Sequence, residues 1–274
     1  MSRCNKINFG DKNTRNLHQK ANRIRKRNKV TALKDEEGNW IDDVADLKKW
    51  GVNFFKALYS SDGNNKPYPI KNRFPKLHKE DYAELAKEAS RKEVKNAIFN
   101  MGSWKAPGSD EIPAKFFQHS WDIVAESLTS WVKDIFQDPR NIREVNQMLI
   151  TIIPKNPAPK NFSHFRPISL CNVCYKVITK IVASRLKNFI PTLIANTQSS
   201  FVPGRVSADN ILVVQEVVHT MRSRNQCKGL MAIKIDLEKA YDRLNWNFVV
   251  DTLKDMESQI TLSTLLLIAF HPEL

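Results

Sequence analysis

Three side chains stand where their types and spacing could do chemistry: Asp236, Lys155 and Arg166. Asp236 lies in the stretch Gly229 to Trp246. There Met231, Ile233, Ile235 and Leu237 share one parity and are apolar, while Lys234 and Asp236 share the other. Successive side chains of a strand point to opposite faces, so the pattern predicts a strand that buries one face and lifts a carboxylate off the core. Such a carboxylate can hold a metal, or it can cap the short helix that follows. That helix has apolar positions Leu244, Phe248 and Leu253, with Asn245 or Asn247 as its cap. Lys155 and Arg166 flank a turn. Met148 to Ile153 reads as a strand stopped by Pro154, Pro157 to Ser163 as a turn, and Phe165 to Leu170 as a returning strand. The hairpin would carry both cations near its strand ends. Lysine and arginine donate to phosphate oxygens with different geometries, so the pair suits a triphosphate. The simpler alternative is two surface cations beside a turn.

The elements that must position these residues follow from periodicity. Leu17, Ala21 and Ile24 allow a basic helix, and Lys34 to Trp40 reads as a turn because Glu37-Gly38-Asn39 breaks both periods. Asp42 to Tyr59 is expected as an amphipathic helix with Val44, Leu47, Phe54, Phe55 and Leu58 near one stripe. Ser60 to Phe74 has loop composition. Ser90-Arg91-Lys92-Glu93 is a capping box that opens a helix through Val94, Ala97, Ile98 and Met101. Trp104 to Pro113 is a loop fixed by Pro and Gly, with Lys105 as its cation. One long helix is predicted from Phe116 to Phe136, carrying Phe117, Trp121, Val124, Leu128, Val132 and Ile135 on one face. Another runs from Asn172 to Ile190 and ends at Pro191. A last one passes through Ile211, Val214, Val218 and Met221.

Composition narrows the class. The chain has 274 residues, 42% of them hydrophobic, which suits a globular protein of one large or two modest domains. Net charge is +14, and residues 1–34 hold eleven Lys or Arg against one acid, Asp11. A segment that basic suits neutralisation of nucleic-acid phosphates, or a solvated arm or localisation signal. The longest apolar run, Leu265 to Phe270, is too short to span a membrane, and no secretory signal is visible. An intracellular protein is expected, with the nucleus a plausible site and no membrane partner. Cys171 and Cys174 form a single C-x-x-C without the second pair that a structural zinc needs, so both are expected as small buried residues.

Several blocks, in order, resemble the reverse transcriptase region of plant non-LTR (LINE-type) retrotransposons. Ile235-Asp-Leu-Glu-Lys-Ala-Tyr-Asp242 is similar to the first catalytic motif of reverse transcriptases. Ile153-Pro-Lys155 and Phe165-Arg-Pro-Ile-Ser-Leu170 resemble fingers motifs, and Gln198-x-x-Phe-x-x-x-Arg205 resembles the element between fingers and palm. Lys105-Ala-Pro-Gly108 resembles a loop that approaches the template, although Glu111 stands where the family usually has Gly. A non-glycine tolerates positive φ poorly, and a carboxylate repels phosphate, so that loop's role is weakened here. Gly10 to Thr14 and the basic run also match. The likeness extends from about Gly10 to Met256.

The resemblance implies an α+β right-hand polymerase, fingers and an incomplete palm, preceded by a mostly helical N-terminal extension. It divides the chain into a basic nucleic-acid-binding arm (1–40), a helical extension (41–140), fingers (141–225), the start of the palm (226–256) and a divergent tail (257–274). It implies RNA-directed DNA polymerase chemistry with RNA template, DNA primer and dNTP as partners, and two Mg²⁺ ions as cofactors. Asp236 would be the catalytic metal ligand, helped by the main-chain carbonyl of Leu237. Lys155, Arg166 and Tyr241 would contact the nucleotide. Lys105, Arg205, Arg23, Arg25, Lys26 and Arg27 would contact nucleic acid, with Arg205 facing template phosphate, a palm carboxylate or a structural ion pair. The family's remaining two carboxylates lie in a later Ala-Asp-Asp hairpin that these 274 residues do not contain. Asp251 and Asp255, in the helix after the strand, cannot replace them. The chain alone is therefore expected to be inactive, truncated after the first palm motif by a frameshift, a stop or a mispredicted exon, and either a non-catalytic RNA- or DNA-binding module or a pseudogene product.

Overall fold

A computed structural model describes residues 15–35, 37–60, 68–70, 73–223, 230–237 and 244–256. The chain divides into two compact units, residues 1–60 with 149–170, and residues 61–148 with 171–274.

The first unit begins with α1 (Arg15–Asn28), whose last turn carries Arg25, Lys26 and Arg27. Cations there complement the negative end of the helix dipole. A two-residue ribbon follows, β1 (Leu33–Lys34) against β2 (Trp40–Ile41), paired Leu33 to Ile41 and Lys34 to Trp40. Its turn closes through Asp35, whose Oδ1 accepts from the Asn39 backbone N–H at 2.8 Å, while Gly38 takes φ +91°. Only glycine adopts that conformation freely. Helix α2 (Val44–Tyr59) starts two residues later than expected, because Asp43 is its N-cap and accepts from Ala45 and Asp46 N–H. Leu47, Gly51 and Phe55 form its buried stripe, and Val44 falls outside it.

Packed on α2 is the expected hairpin, β3 (Leu149–Pro154) antiparallel to β4 (Phe165–Leu170), in a register that sets Pro154 opposite Phe165 and Ile153 opposite Arg166. Phe162, in a short 3-10 turn before β4, centres the core. Its ring lies 4.8 Å from Trp50, 5.8 Å from Phe54 and 6.1 Å from Phe55, with Phe165 at 6.2 Å. Gly51 lets the Phe162 ring approach the helix backbone; a Cβ there would sit 3.0 Å from its Cζ. Helix α1 lies against β3, so the basic helix and the hairpin share one unit.

The second unit is a helical core. Helix α3 (Lys79–Ala86) leads to α4 (Arg91–Phe99), which opens with the expected capping box. Glu93 N–H donates to Ser90 Oγ, and Ser90 N–H donates to Glu93 Oε2. Two helices stand where one was expected, α5 (Ala114–His119) and α6 (Trp121–Gln137). Ser120 breaks them at φ −96°, ψ 23° and serves as cap to both. The periodicity survives the break, so Phe117, Trp121, Leu128, Val132 and Ile135 remain on the buried side. Periodicity alone does not reveal a single non-helical serine. Helix α7 (Val173–Leu193) runs through Pro191 and stops two residues beyond it. The proline ring removes the N–H that would bond the Lys187 carbonyl, and the helix continues only to Leu193. Val94 and Ile98 of α4, Val132 and Ile135 of α6, and Val177, Ile178 and Ile181 of α7 make the centre of this core.

Helix α8 (Ser207–Ser223) has no buried residue. The segment 230–237 forms no strand, contrary to the expectation from its alternation. Met231 is 81% exposed, and Ile233, Ile235 and Leu237 are similarly open. A strand has no hydrogen bonds of its own and forms only against a neighbour. Among the described residues the two sheets are β1–β2 and β3–β4, and neither includes this segment. Helix α9 (Trp246–Asp255) is capped by Asn245, whose Oδ1 accepts from Asn247 N–H at 2.9 Å.

Candidate functional site

Lys155 follows β3 directly and is anchored at the turn. Its backbone N–H donates to His164 O at 2.8 Å, and Nζ donates to Ser163 O at 3.0 Å. An ammonium has three donors, so two remain for an anion. Arg166 is exposed on β4, next to buried Phe165, as strand alternation requires. The register brings both cations to the loop end of the hairpin. Arg23, Arg25, Lys26 and Arg27 are all exposed on α1, in the same unit.

Asp236 is exposed within the irregular segment 230–237 of the second unit, and Leu237 beside it is exposed as well. The expected strand would present this carboxylate; here backbone that belongs to no strand or helix does so. Tyr241, Glu238, Lys239, Asp242 and Arg243 lie outside the described residues. Asp236 supplies a hard oxygen suited to Mg²⁺. Among the described residues, however, no group of three or more His, Cys, Asp or Glu is gathered to hold a metal, so Asp236 alone does not constitute a metal centre. The later carboxylates of the helix are occupied. Asp251 Oδ2 accepts from Tyr68 N–H at 2.9 Å, and Asp255 Oδ2 accepts from Arg73 and Phe74 N–H at 3.0 and 3.2 Å. Both tie Tyr68, Arg73 and Phe74 to α9.

The Lys105 loop is built onto the start of α7. Asn172 Oδ1 accepts from Ser109 Oγ and Asp110 N–H, each at 3.3 Å, and Lys176 Nζ donates to Ala106 O at 3.4 Å. Gly108 packs so closely that a Cβ would collide with Asn172 and the Cys171 carbonyl carbon. Glu111 takes φ 57°, the left-handed conformation that its non-glycine identity makes costly. Lys105 itself is exposed, its side chain lying over Gly102. Behind the loop, burial raises the Cys171 thiol and pushes that of Cys174 up to about 11, with Asp110 adding to the second effect. Burial therefore favours the protonated thiol at both positions.

Arg205 makes its hydrogen bonds within the chain, to main-chain carbonyls and one side-chain amide. Its Nη1 donates to Ala195 O at 2.6 Å and Gln198 O at 2.7 Å, and its Nη2 donates to Pro191 O at 3.1 Å, Ile194 O at 3.0 Å and Asn196 Oδ1 at 3.3 Å. The guanidinium closes the C-terminal end of α7, where helix carbonyls lack partners. Phe201, in the turn this clamp holds, has φ 65°. Hydrogen bonds to a charged group are each worth about 1.5–3 kcal/mol when buried and less when solvated. Arg205→Ala is expected to cost about 2 kcal/mol in urea unfolding on that basis, with Arg205→Lys recovering part of it.

Sequence reading missed Arg185. It is 8% exposed, donating from Nε to Glu93 Oε1 at 2.7 Å, from Nη2 to Glu93 Oε2 at 3.0 Å, and from Nη1 to Leu85 and Lys87 carbonyls. Its position was a usable signal, since a charge four residues after Ile181 and seven after Ile178 falls on the apolar stripe.

Residues 153–271 match the family model described as reverse transcriptase (RNA-dependent DNA polymerase), and the match runs on past Met256. Those residues carry the likeness to reverse transcriptase domains, and the mixed helices and small sheets around them accord with an α+β fold. The relatives are proteins of non-LTR retrotransposons. The Transposon TX1 uncharacterized 149 kDa protein of Xenopus laevis is 25% identical over 230 residues, 83% of this chain and 17% of that protein. The retrovirus-related Pol polyprotein from type-1 retrotransposable element R2 of Nasonia vitripennis is 23% identical over 176 residues, 60% of this chain and 17% of that polyprotein. The corresponding polyprotein from type-2 element R2DM of Drosophila melanogaster is 30% identical over 149 residues, 54% of this chain and 13% of its own length. The chain thus spans 17% or less of each of these relatives. Among the described residues, no helix is long and apolar enough to cross a membrane.

Proposed function

We propose that this chain forms the fingers and the opening of the palm of an RNA-directed DNA polymerase from a LINE-type element, of the plant kind its motifs resemble. The observation that carries this reading is the family match itself. It begins inside β3 and takes in Lys155, Arg166 and Asp236 in order. In this reading the chain runs through a basic arm (1–40), a helical extension (41–140), fingers (141–225), the start of the palm (226–256) and a tail (257–274). Lys155 and Arg166 receive the triphosphate of a dNTP, with Tyr241 beneath its sugar. Lys105 and the α1 cations follow the phosphates of RNA template and DNA primer, and the basic arm suits work on nuclear DNA. Asp236 with the Leu237 carbonyl offers oxygens to Mg²⁺. These 274 residues contain no Ala-Asp-Asp sequence, so a polypeptide of these residues alone lacks the other carboxylates that two ions require.

Primer extension on an RNA template tests the reading. The 274-residue protein is expected to bind template–primer and to incorporate nothing. Incorporation by this protein, whether or not Asp236→Ala abolishes it, would contradict the assigned division of labour. Lys155→Ala and Arg166→Ala are each expected to weaken dNTP binding roughly tenfold, the worth of one charge-assisted contact. Both side chains are exposed, so neither change should move the unfolding midpoint.

A second reading, a non-catalytic nucleic-acid-binding module, is favoured by one observation: α1 with its exposed cations lies against β3. That reading predicts the same binding and no dependence on Asp236.

A further inference from the structure

Beside the Lys105 loop lies an open cleft of about 360 Å³, lined by Trp104, Pro113, Lys115, Phe116, His119 and Ser120. Two features set it apart from ordinary surface relief. Trp104 is 74% exposed and Phe116 47% exposed, so two large aromatic side chains that folding leaves open line one concavity. The walls are also fixed before anything binds. Gln118 Nε2 donates to Ile98 O and Met101 O at 3.0 Å each, Ser103 Oγ donates to Gln118 Oε1 at 2.7 Å, and Lys115 N–H donates to Ser103 O at 3.1 Å. These bonds join the end of α4, the Trp104 turn and α5. A preorganised cleft loses little freedom on binding.

Its chemistry favours a flat ring attached to an anion. Indole and phenyl faces accept a stacked ring, Lys115 in the lining and exposed Lys105 next to Trp104 supply positive charge, and among the described residues no carboxylate lines the cleft. We propose that this cleft takes one unpaired base of a single-stranded nucleic acid, stacked on Trp104, with Lys115 meeting an adjoining phosphate. This rests on the reading above that the chain grips nucleic acid, and it adds a stacking site within the second unit to the cations of the first.

The test uses the full chain and a fluorescently labelled single-stranded RNA oligonucleotide. Stacking on one aromatic is worth about 1–3 kcal/mol by alanine substitution, so Trp104→Ala is expected to weaken binding roughly tenfold or more, and Trp104→Phe much less. Lys115→Gln should reduce the slope of log K against log salt by about 0.7. Trp104 contributes mostly exposed surface, so thermal unfolding of Trp104→Ala should match that of the wild type. A 4-thiouridine oligonucleotide should crosslink to peptide 104–119. Wild-type binding with unchanged affinity in Trp104→Ala would overturn the stacking site and leave nucleic-acid binding intact. Absence of any wild-type binding at low salt would overturn both. Emission from Trp104, isolated as the difference from Trp104→Phe, that responds to a proline-rich peptide and not to RNA would assign the cleft to a protein partner and overturn the proposal.

Discussion

Arg185→Met is expected to destabilise the second unit by about 2–4 kcal/mol, the cost of breaking a buried ion pair discounted because the Glu93 carboxylate is partly exposed. Methionine keeps much of the volume but none of the donors. It strands the Glu93 carboxylate together with the Leu85 and Lys87 carbonyls, and it removes the guanidinium from over the Phe136 ring, 5.0 Å away. The loss would be spread over three helices, since Glu93 opens α4, Leu85 ends in α3 and Arg185 lies in α7. Urea unfolding measures it. Glu93→Gln should cost less, because a neutral amide still accepts from Arg185. The same pair sets a pH dependence. Burial opposes ionisation of Glu93, yet hydrogen bonds from Arg185 and Ser90 outweigh it and lower the pKa from the ordinary 4.5 to about 2. A depressed folded-state pKa means that the unfolded chain binds the proton more readily. The stabilisation is therefore complete above about pH 4.5 and is lost as pH falls toward 2. Stability of Glu93→Gln should be flatter than wild type across that interval.

Gly108→Ala is expected to be comparably damaging, at about 3 kcal/mol, through overpacking rather than a lost contact. The added methyl would collide with Asn172 Oδ1 and N and with the Cys171 carbonyl carbon. A flexible side chain could yield, but two of these three atoms are backbone at the entry to α7. Asn172→Ala in the same molecule should therefore fail to rescue it. Relief would require the Lys105 loop to lift from α7, which would also release the Asp110 and Lys176 bonds that hold it. Chemical unfolding gives the magnitude, and faster proteolysis near residues 104–113 would report where the structure opens.

What could be read from the sequence was local. The hairpin followed from two apolar runs around a Pro-rich turn, and the capping box from Ser90 and Glu93 three residues apart. The suspicion attached to Glu111 met a residue at positive φ. What escaped depends on partners distant in sequence. The motif leaves Arg205 open to template phosphate, a palm carboxylate or a structural ion pair, and its intrachain bonds to the carbonyls that end α7 were not among these readings. The alternation of 231–237 predicts a strand with one buried face, but pairing is a property of neighbours, and the segment is neither paired nor buried. Lys155 and Arg166 fell at one end of a hairpin as read; that α1 lies against the same hairpin was not encoded in any local pattern.

The grip on nucleic acid is the claim on which the rest depends, and the salt dependence of RNA binding tests it most directly. The full chain and the variant Arg23→Gln, Arg25→Gln, Lys26→Gln, Arg27→Gln should be titrated with single-stranded RNA over a range of salt. Glutamine is a good helix former, and all four positions are exposed, so α1 should persist. Each phosphate contact on a single strand contributes about 0.7 to the slope of log K against log salt. The account predicts steep wild-type dependence and a slope reduced by about 2 to 3 in the variant, if most of the four cations meet phosphates. An identical slope in the two proteins, or wild-type binding indifferent to salt, would contradict it.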